Sequence, residues 1–296
     1  MQRAETLRTA AVASHALPHV SVLRNTLTRA ALTTVALAYL GVILLAPLLA
    51  LLHETAALGF DTALSAVLTA DALAALGMSA QLVVIAVVVN GAVGTLGALV
   101  IVRHRFVGRR LLSALFDLPL AVSPVMVGLG FLLLAGRDGV LAAGLAMLGI
   151  EVMFSPAGLI VATLFVTLPY TLREVAYVLE ELGTSEEEAA TTLGASPMQT
   201  FMRVTLPNIR VALGYGLLMT AARTLGEFGA VLVLGGSIAG QTQTATTFIH
   251  DALEERAQAG AYGMALVLAA TSVVWLMVLE LAKRRRQPAS AGRAGR

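Results

Sequence analysis

A chain of 296 residues that is 57% apolar and 13% charged, with a formal charge of +2, lies far from the even mix of a water-soluble globular domain. Its composition is that of a membrane protein. Aromatic residues make up 5%, and no basic face with interleaved stacking aromatics is visible, so no nucleic-acid partner is expected. Cysteine is absent, which excludes disulfides, thiolate nucleophiles and Cys-ligated metals. His15 and His19 have metal-ligand spacing but lie in a polar arm with no third ligand nearby, so neither a metal nor a cofactor is implied.

Residues 1–29 form an N-terminal arm carrying Arg3, Arg8, Arg24 and Arg29 against Glu5. The apolar run that follows, residues 30–52, is too long for a signal-peptide core and is expected to remain as the first transmembrane helix. A spanning helix needs about 20 apolar residues to cross a hydrocarbon core of about 30 Å. Five more stretches qualify, some of them interrupted: Met78 to Val102, Leu111 to Ala135, Ala157 to Leu179, Asn208 to Leu234, and Ala261 to Leu281. The predicted fold class is all-α, a polytopic membrane bundle of six transmembrane helices. Val140 to Ile150 is apolar but too short to span, so it reads as an interfacial or re-entrant piece. Gly91, Gly94 and Gly97 follow no strand and read as close-packing positions rather than a nucleotide loop. Pro119, Pro124 and Pro169 interrupt spans where neighbouring helices satisfy the freed carbonyls, and such breaks often line a pathway.

Positive residues are retained on the cytoplasmic side of a membrane. The arm has four Arg, the loop after the second span has Arg103, Arg105, Arg109 and Arg110, and the tail at 282–296 begins with Lys283, Arg284, Arg285 and Arg286. The stretch from His53 to Gly77 has no Lys or Arg, and the other two alternating loops have one each, Arg137 and Arg256. Both termini are therefore expected inside, in an inner membrane crossed six times. The tail cluster is read as a stop-transfer anchor held at the lipid surface.

The polar stretch at 180–207 reads EELGTSEEEAATTLGASPMQTFMRVTLP. Ser185 with Glu188 has the spacing of a capping box, and Glu186 to Glu188 place negative charge at the positive end of a helix. Gly194 is the expected left-handed stop. Ser196, Pro197 and Gln199 then supply a second cap, leading into a short helix up to Pro207, which opens the fifth span. The result is a two-helix knob exposing Met198 and Phe201.

Glu188, Ala189 and Ala190, then Gly194, Val204, and Leu206 with Pro207, have the spacing of the EAA loop, and on these residues the chain resembles the permeases of binding-protein-dependent ABC importers. The resemblance covers residues 75–281, the permease core, and implies the type I ABC importer permease architecture. It also implies that the loop is a coupling helix docking on an ATPase subunit, through Glu188, Ala189, Ala190, Gly194, Met198, Phe201, Leu206 and Pro207. The stretches FDLPLAVSPVMVGLGFLLLAG, LIVATLFVTLP and ARTLGEFGAVLVLGG look like the sulfate/thiosulfate permeases, particularly their W-type subunit, with molybdate permeases sharing GEFGA. The segment TQTATTFIHDALEERAQAGAYG has no firm counterpart there. The implied partners are ABC ATPase subunits, a second homologous permease subunit and an extracytoplasmic sulfate-binding protein.

A motor needs the P-loop GxxxxGK[ST], but the one lysine is Lys283, with no glycine-rich loop before it. ATP hydrolysis is thus expected on a separate subunit, and the chain itself is not expected to be an enzyme. Charges inside a membrane cost about 2.5 to 3.5 kcal/mol each on insertion scales. Arg223 and Glu227, one turn apart near the middle of the fifth span, read as a self-neutralising pair or as part of an anion path. Asp117 is expected to reach the interface or pair with an Arg, and Ser123, beside Pro124, to donate to an oxyanion. An intramembrane enzyme built on Arg223, Glu227 and Asp117 is the competing reading. It lacks a Ser/His or paired-Asp constellation, since no span contains a His.

Overall fold

The computed structural model describes residues 19–136 and 139–284, without the side chains of 19–27, 279 and 282–284. Most of the N-terminal arm, the His15–His19 pair, Arg137 and the basic tail lie outside the described residues, and so do the expectations attached to them. Among the described residues every regular element is helical.

Up to Glu54 the chain forms one compact unit, and from Thr55 it forms a second. Residues 19–54 of the first belong to α1 (His19–Leu58), a continuous helix with Pro47 inside it. It outruns residues 30–52 at both ends, because helical hydrogen bonding continues through polar residues that hydropathy alone would exclude.

The second unit contains α2 (Phe60–Val67), α3 (Ala70–Arg103), α4 (Arg109–Ala121), α5 (Pro124–Ala135), α6 (Ala142–Met147) and α7 (Pro156–Leu182). There follow α8 (Ser185–Thr192), α9 (Pro197–Thr200), a π turn (Phe201–Thr205), α10 (Leu206–Leu225), α11 (Gly229–Gly235), α12 (Ala245–Glu254) and α13 (Gln258–Arg284). The six-residue α6 occupies the segment whose length forbids a crossing.

Four of these helices, α1, α3, α7 and α13, are long and apolar enough to cross a membrane unbroken. The third and fifth expected spans are each broken. The α4–α5 pair bends by 113°, and the helix from Pro197 to Leu225 bends by 56° into α11, so the count is six when each bent pair is one span. The first break follows from Pro124, which pushes the residue before it out of the helical region: Val122 and Ser123 are both extended, at ψ 138°.

At the centre, α3, α7 and α10 pack against one another. Their backbones close on Thr171 of α7. A Cβ on Gly216 would lie 2.9 Å from Thr171 Cα, and one on Gly94 would lie 3.1 Å from the Leu172 nitrogen. That proximity lets hydroxyls and amides meet across helices. Thr171 and Thr220 share a hydrogen bond of 2.9 Å, and Asn90 Nδ2 donates to Leu164 O at 3.0 Å and Thr167 Oγ1 at 2.8 Å. Between helices in lipid, small residues and such polar contacts replace the hydrophobic drive that folds soluble cores. An apolar cluster of Ala98, Ile101, Leu172, Val175, Leu179 and Ile209 completes this end, while Val84, Val88 and Leu96 stay exposed on the outer face of α3.

Candidate functional site

Three polar constellations stand out. The first is the knob after α7. Helix α8 ends at Gly194, whose φ of +85° is the left-handed conformation favoured by glycine. The Ala195 N–H donates to Ala190 O at 3.1 Å, and the Gly194 N–H to Thr191 O at 2.9 Å. These two bonds are the Schellman pattern, which satisfies the last carbonyls of a helix and reverses the chain. Two residues on, the capping box of α9 is complete: Ser196 Oγ accepts from the Gln199 N–H at 3.3 Å, and Gln199 Oε1 accepts from the Ser196 N–H at 2.9 Å.

Three consecutive glutamates fix the knob, each in a different direction. Glu186 Oε2 accepts from Asn208 Nδ2 at 2.5 Å, at the start of α10. Glu187 meets Arg103 Nε at 2.8 Å, at the end of α3, and accepts from Thr205 Oγ1 at 2.7 Å. Arg103 also donates through Nη1 to Leu179 O at 3.0 Å, so one guanidinium joins α3, α7 and α8. Glu188 accepts from Thr184 Oγ1 at 2.6 Å.

Several expectations are corrected here. The Ser185–Glu188 capping box does not form, because the helix begins one residue earlier, with Thr184 at its N-cap and Ser185 already inside. Phe201 is half-buried, and the exposed apolar side chains are Leu193, Met198 and Met202. The reason is the π turn at Phe201–Thr205, which is continuous with α9 and α10. One extra residue in that turn rotates Met202 outward. Pro207 therefore sits inside a helix already under way, directly after the π turn. Leu206 packs against the apolar cluster at this end of the bundle.

The second constellation is the pair of bends. Arg223 Nη1 meets Glu227 Oε2 at 2.7 Å, with the Glu227 side chain 2% exposed and that of Arg223 28%. They stand at the fifth-span break rather than within a continuous helix: α10 stops at Leu225, and Glu227 Oε1 accepts from the Ala230 N–H at 3.1 Å, capping α11. Thr246 Oγ1 donates to Glu227 O at 2.7 Å. Ser123, exposed at the N-cap of α5, lies at the other bend. The two bends touch: a Cβ on Gly229 would come 3.1 Å from the Val125 nitrogen and 3.5 Å from Pro124 Cβ.

The third constellation separates Asp117 from that group. Arg173 of α7 donates through Nε to Asp117 Oδ1 at 2.5 Å and through Nη2 to Asp117 Oδ2, to Ser113 Oγ at 2.8 Å and to Ser113 O at 3.0 Å. The cost argument that singles out Arg223 applies equally to Arg173 within the fourth apolar run, and it was the available signal for this site. For Arg103, Glu187, Thr205 and Asn208 no local signal exists, because their partners are distant in sequence.

A bundle of apolar helices with two broken spans and a firmly tied knob of paired short helices defines the membrane-embedded permease of an ATP-driven importer. Residues 91–287 match the family described as binding-protein-dependent transport system inner membrane component, and the chain belongs to that family of multi-pass inner-membrane permeases. It is 42% identical over 254 residues to the sulfate transport system permease protein CysW of Synechocystis sp., covering 86% of this chain and 92% of that protein. Identity to CysW of Escherichia coli K12 is 39% over 243 residues, covering 82% and 84% of the two chains. Identity to the sulfate transport system permease protein CysT of Salmonella typhimurium is 36% over 249 residues, covering 84% and 90%. Among solved structures, a bacterial alginate ABC transporter, in complex with an alginate pentasaccharide-bound periplasmic protein, shares the fold with a TM-score of 0.73 at 19% identity, covering 90% of this chain and 96% of that one. The chain is thus a permease subunit of type I architecture and not an enzyme, ATP being hydrolysed by separate subunits.

Proposed function

We propose that this chain is one of two paired permease subunits of an ATP-driven sulfate importer, with thiosulfate as a related cargo. It receives the anion from an extracytoplasmic sulfate-binding protein and is driven by ABC ATPase subunits docked on the knob. The observation that carries the reading is the 42% identity to a sulfate permease across nearly its whole length. Substrate identity is tested by uptake of labelled sulfate against labelled molybdate in cells lacking the chain and in cells complemented with it. Restored sulfate uptake is the expected result, and restoration of molybdate alone would reassign the cargo.

Both termini lie in the cytoplasm in this reading, on the side of the knob. Reporter fusions at Ala66 and Ala252 are then active outside, and those at Gly108 and Ser196 inside; a reversed signal at any one of the four breaks the topology. The anion path runs past the paired bends, where Arg223 supplies positive potential, Glu227 restrains it, and Ser123 offers a hydroxyl beside the α5 N-terminus. Coupling belongs to Glu188, Ala189, Ala190 and Gly194, which build the elbow, with Met198 on its exposed face, Phe201 beneath it, and Leu206 and Pro207 leading into α10. An ATPase subunit co-purifying with the chain is the direct check on that assignment.

A further inference from the structure

Arg173 stands about 6 Å along the axis from the middle of α7, a helix long and apolar enough to cross a membrane. A guanidinium at that depth has to be neutralised, and Asp117 does so. Burial is what the pair lacks: its side chains remain 37% and 43% exposed. An ion pair left open at membrane depth against lipid is unfavourable, so its open side faces water or protein.

The hydrogen-bond pattern says what that side offers. The carboxylate is occupied on both oxygens, Oδ1 by Nε and Oδ2 by Nη2, and Nη2 also holds both oxygens of Ser113. Nη1 has no hydrogen-bond partner among the described residues. Guanidinium planarity turns Nη1 away from the edge that grips Asp117. The clamp thus turns its acceptors inward and leaves donors free, on a side chain whose orientation is fixed by four contacts.

We propose that Arg173, clamped by Asp117 and Ser113, is a contact point for the transported tetrahedral oxyanion on its way through the permease pair, a role that rests on the reading of this chain as a sulfate permease. The Asp117 charge keeps the contact weak. A bare guanidinium at this depth would hold a divalent anion, whereas a neutralised one passes it on, as multi-site conduction requires.

The absence of native cysteine permits a direct test. Ala114 is exposed and one turn before Asp117, so Ala114→Cys places a thiol beside the clamp without touching it. In membranes carrying the assembled transporter, the thiol is exposed to an anionic and a cationic methanethiosulfonate of similar size. The expected result is reaction with both, faster with the anionic reagent, the preference disappearing when Arg173→Gln is added and the reaction slowing when sulfate is transported. Protection by molybdate with none by sulfate would keep the oxyanion site and reassign its cargo. No reaction, or equal rates for the two reagents, would overturn the proposal.

Transport kinetics give a second readout that a purely structural clamp would not reproduce. Arg173→Gln lowers uptake more than about tenfold, the loss of a charged hydrogen bond, while Arg173→Lys, which keeps the charge and loses the fork, falls between. Asp117→Asn lowers KM and maximal rate together, because the anion is then held. Equal loss of uptake with unchanged KM in Asp117→Asn and Arg173→Gln would assign the pair to helix packing and overturn the proposal.

Discussion

The knob and the paired bends use the same residue types to opposite ends. At the knob, the Glu186, Glu187 and Glu188 side chains reach separate partners at a largely exposed surface, and Arg103 bonds to both α7 and α8. At the bend, the carboxylate of Glu227 is 2% exposed, and its one countercharge among the described residues is Arg223. The first arrangement is redundant and the second is not. Losing any one carboxylate at the knob leaves the others in place, whereas losing one charge at the bend strands its partner in a low-dielectric interior. What the knob cannot spare is conformation rather than contact, because its reversal passes through one left-handed residue.

The largest effect is therefore expected at Gly194. A Cβ there meets nothing within 4 Å, so size is no obstacle and the backbone alone decides. Left-handed geometry costs a side-chain-bearing residue about 1 to 2 kcal/mol, most for a β-branched one. Gly194→Val should leave the subunit inserted but tilt Met198 away from its partner, abolishing both uptake and recovery of the ATPase in a pull-down. Gly194→Asn, which tolerates this geometry, should retain most of both. Normal recovery with Gly194→Val would make the knob a well-capped loop and nothing more.

Next comes Arg223→Gln, which leaves a buried carboxylate unpaired at a cost of about 3 to 5 kcal/mol. Both the membrane level of the subunit and its uptake should fall steeply. Arg223→Leu with Glu227→Leu should recover the level, and the comparison is sharpened by what uptake then does: persistent loss assigns Arg223 to the anion path, and full recovery confines it to packing. Smaller again is Glu187→Gln, which removes the charge from the Arg103 contact while keeping the hydrogen bond to Thr205. Uptake should drop several-fold with ATP hydrolysis retained, so more ATP is consumed per substrate moved; an unchanged ratio would show that the Arg103–Glu187 contact does not bear on coupling. The mildest is Glu188→Ala, which forfeits one exposed hydrogen bond worth about 0.5 to 1.5 kcal/mol and should reduce uptake by less than half.

How legible each feature was depends on how local its cause is, not on the size of its effect. The spans at Met78 to Val102, Ala157 to Leu179 and Ala261 to Leu281 could be read because apolar length is a local property, and Gly194 with the Ser196–Gln199 box because capping is decided within a few residues. The two bends were half legible. Pro124 announced a break, whereas Pro119 and Pro169 lie inside continuous helices; hydropathy carries no direction, and a run that turns by 113° scores like one that goes straight. The Ser185 box misplaced the cap by one residue because Ser185 is already helical, and Thr184 at the N-cap spends its hydroxyl on Glu188 Oε1 rather than on a backbone N–H. Arg103, counted only as a loop charge, and its partner Glu187 lie 84 residues apart in sequence, beyond any periodicity. Asp117 was expected to reach the interface or to pair with an arginine, and only the packing of α4 on α7 identified that arginine as Arg173.

The unbroken helix from Pro197 through the π turn to Leu225 carries one more consequence. It is a rod about 43 Å long, with the Gly194 elbow just before one end and the Glu227 break just after the other. A push on the knob that keeps this helix straight reappears at its far end. A tilt of about 5° pivoted at the knob displaces the other end by about 4 Å over that length, more than the width of one hydrogen bond. Any movement imposed on the knob would thus be carried to the spot where Arg223 and Glu227 are joined.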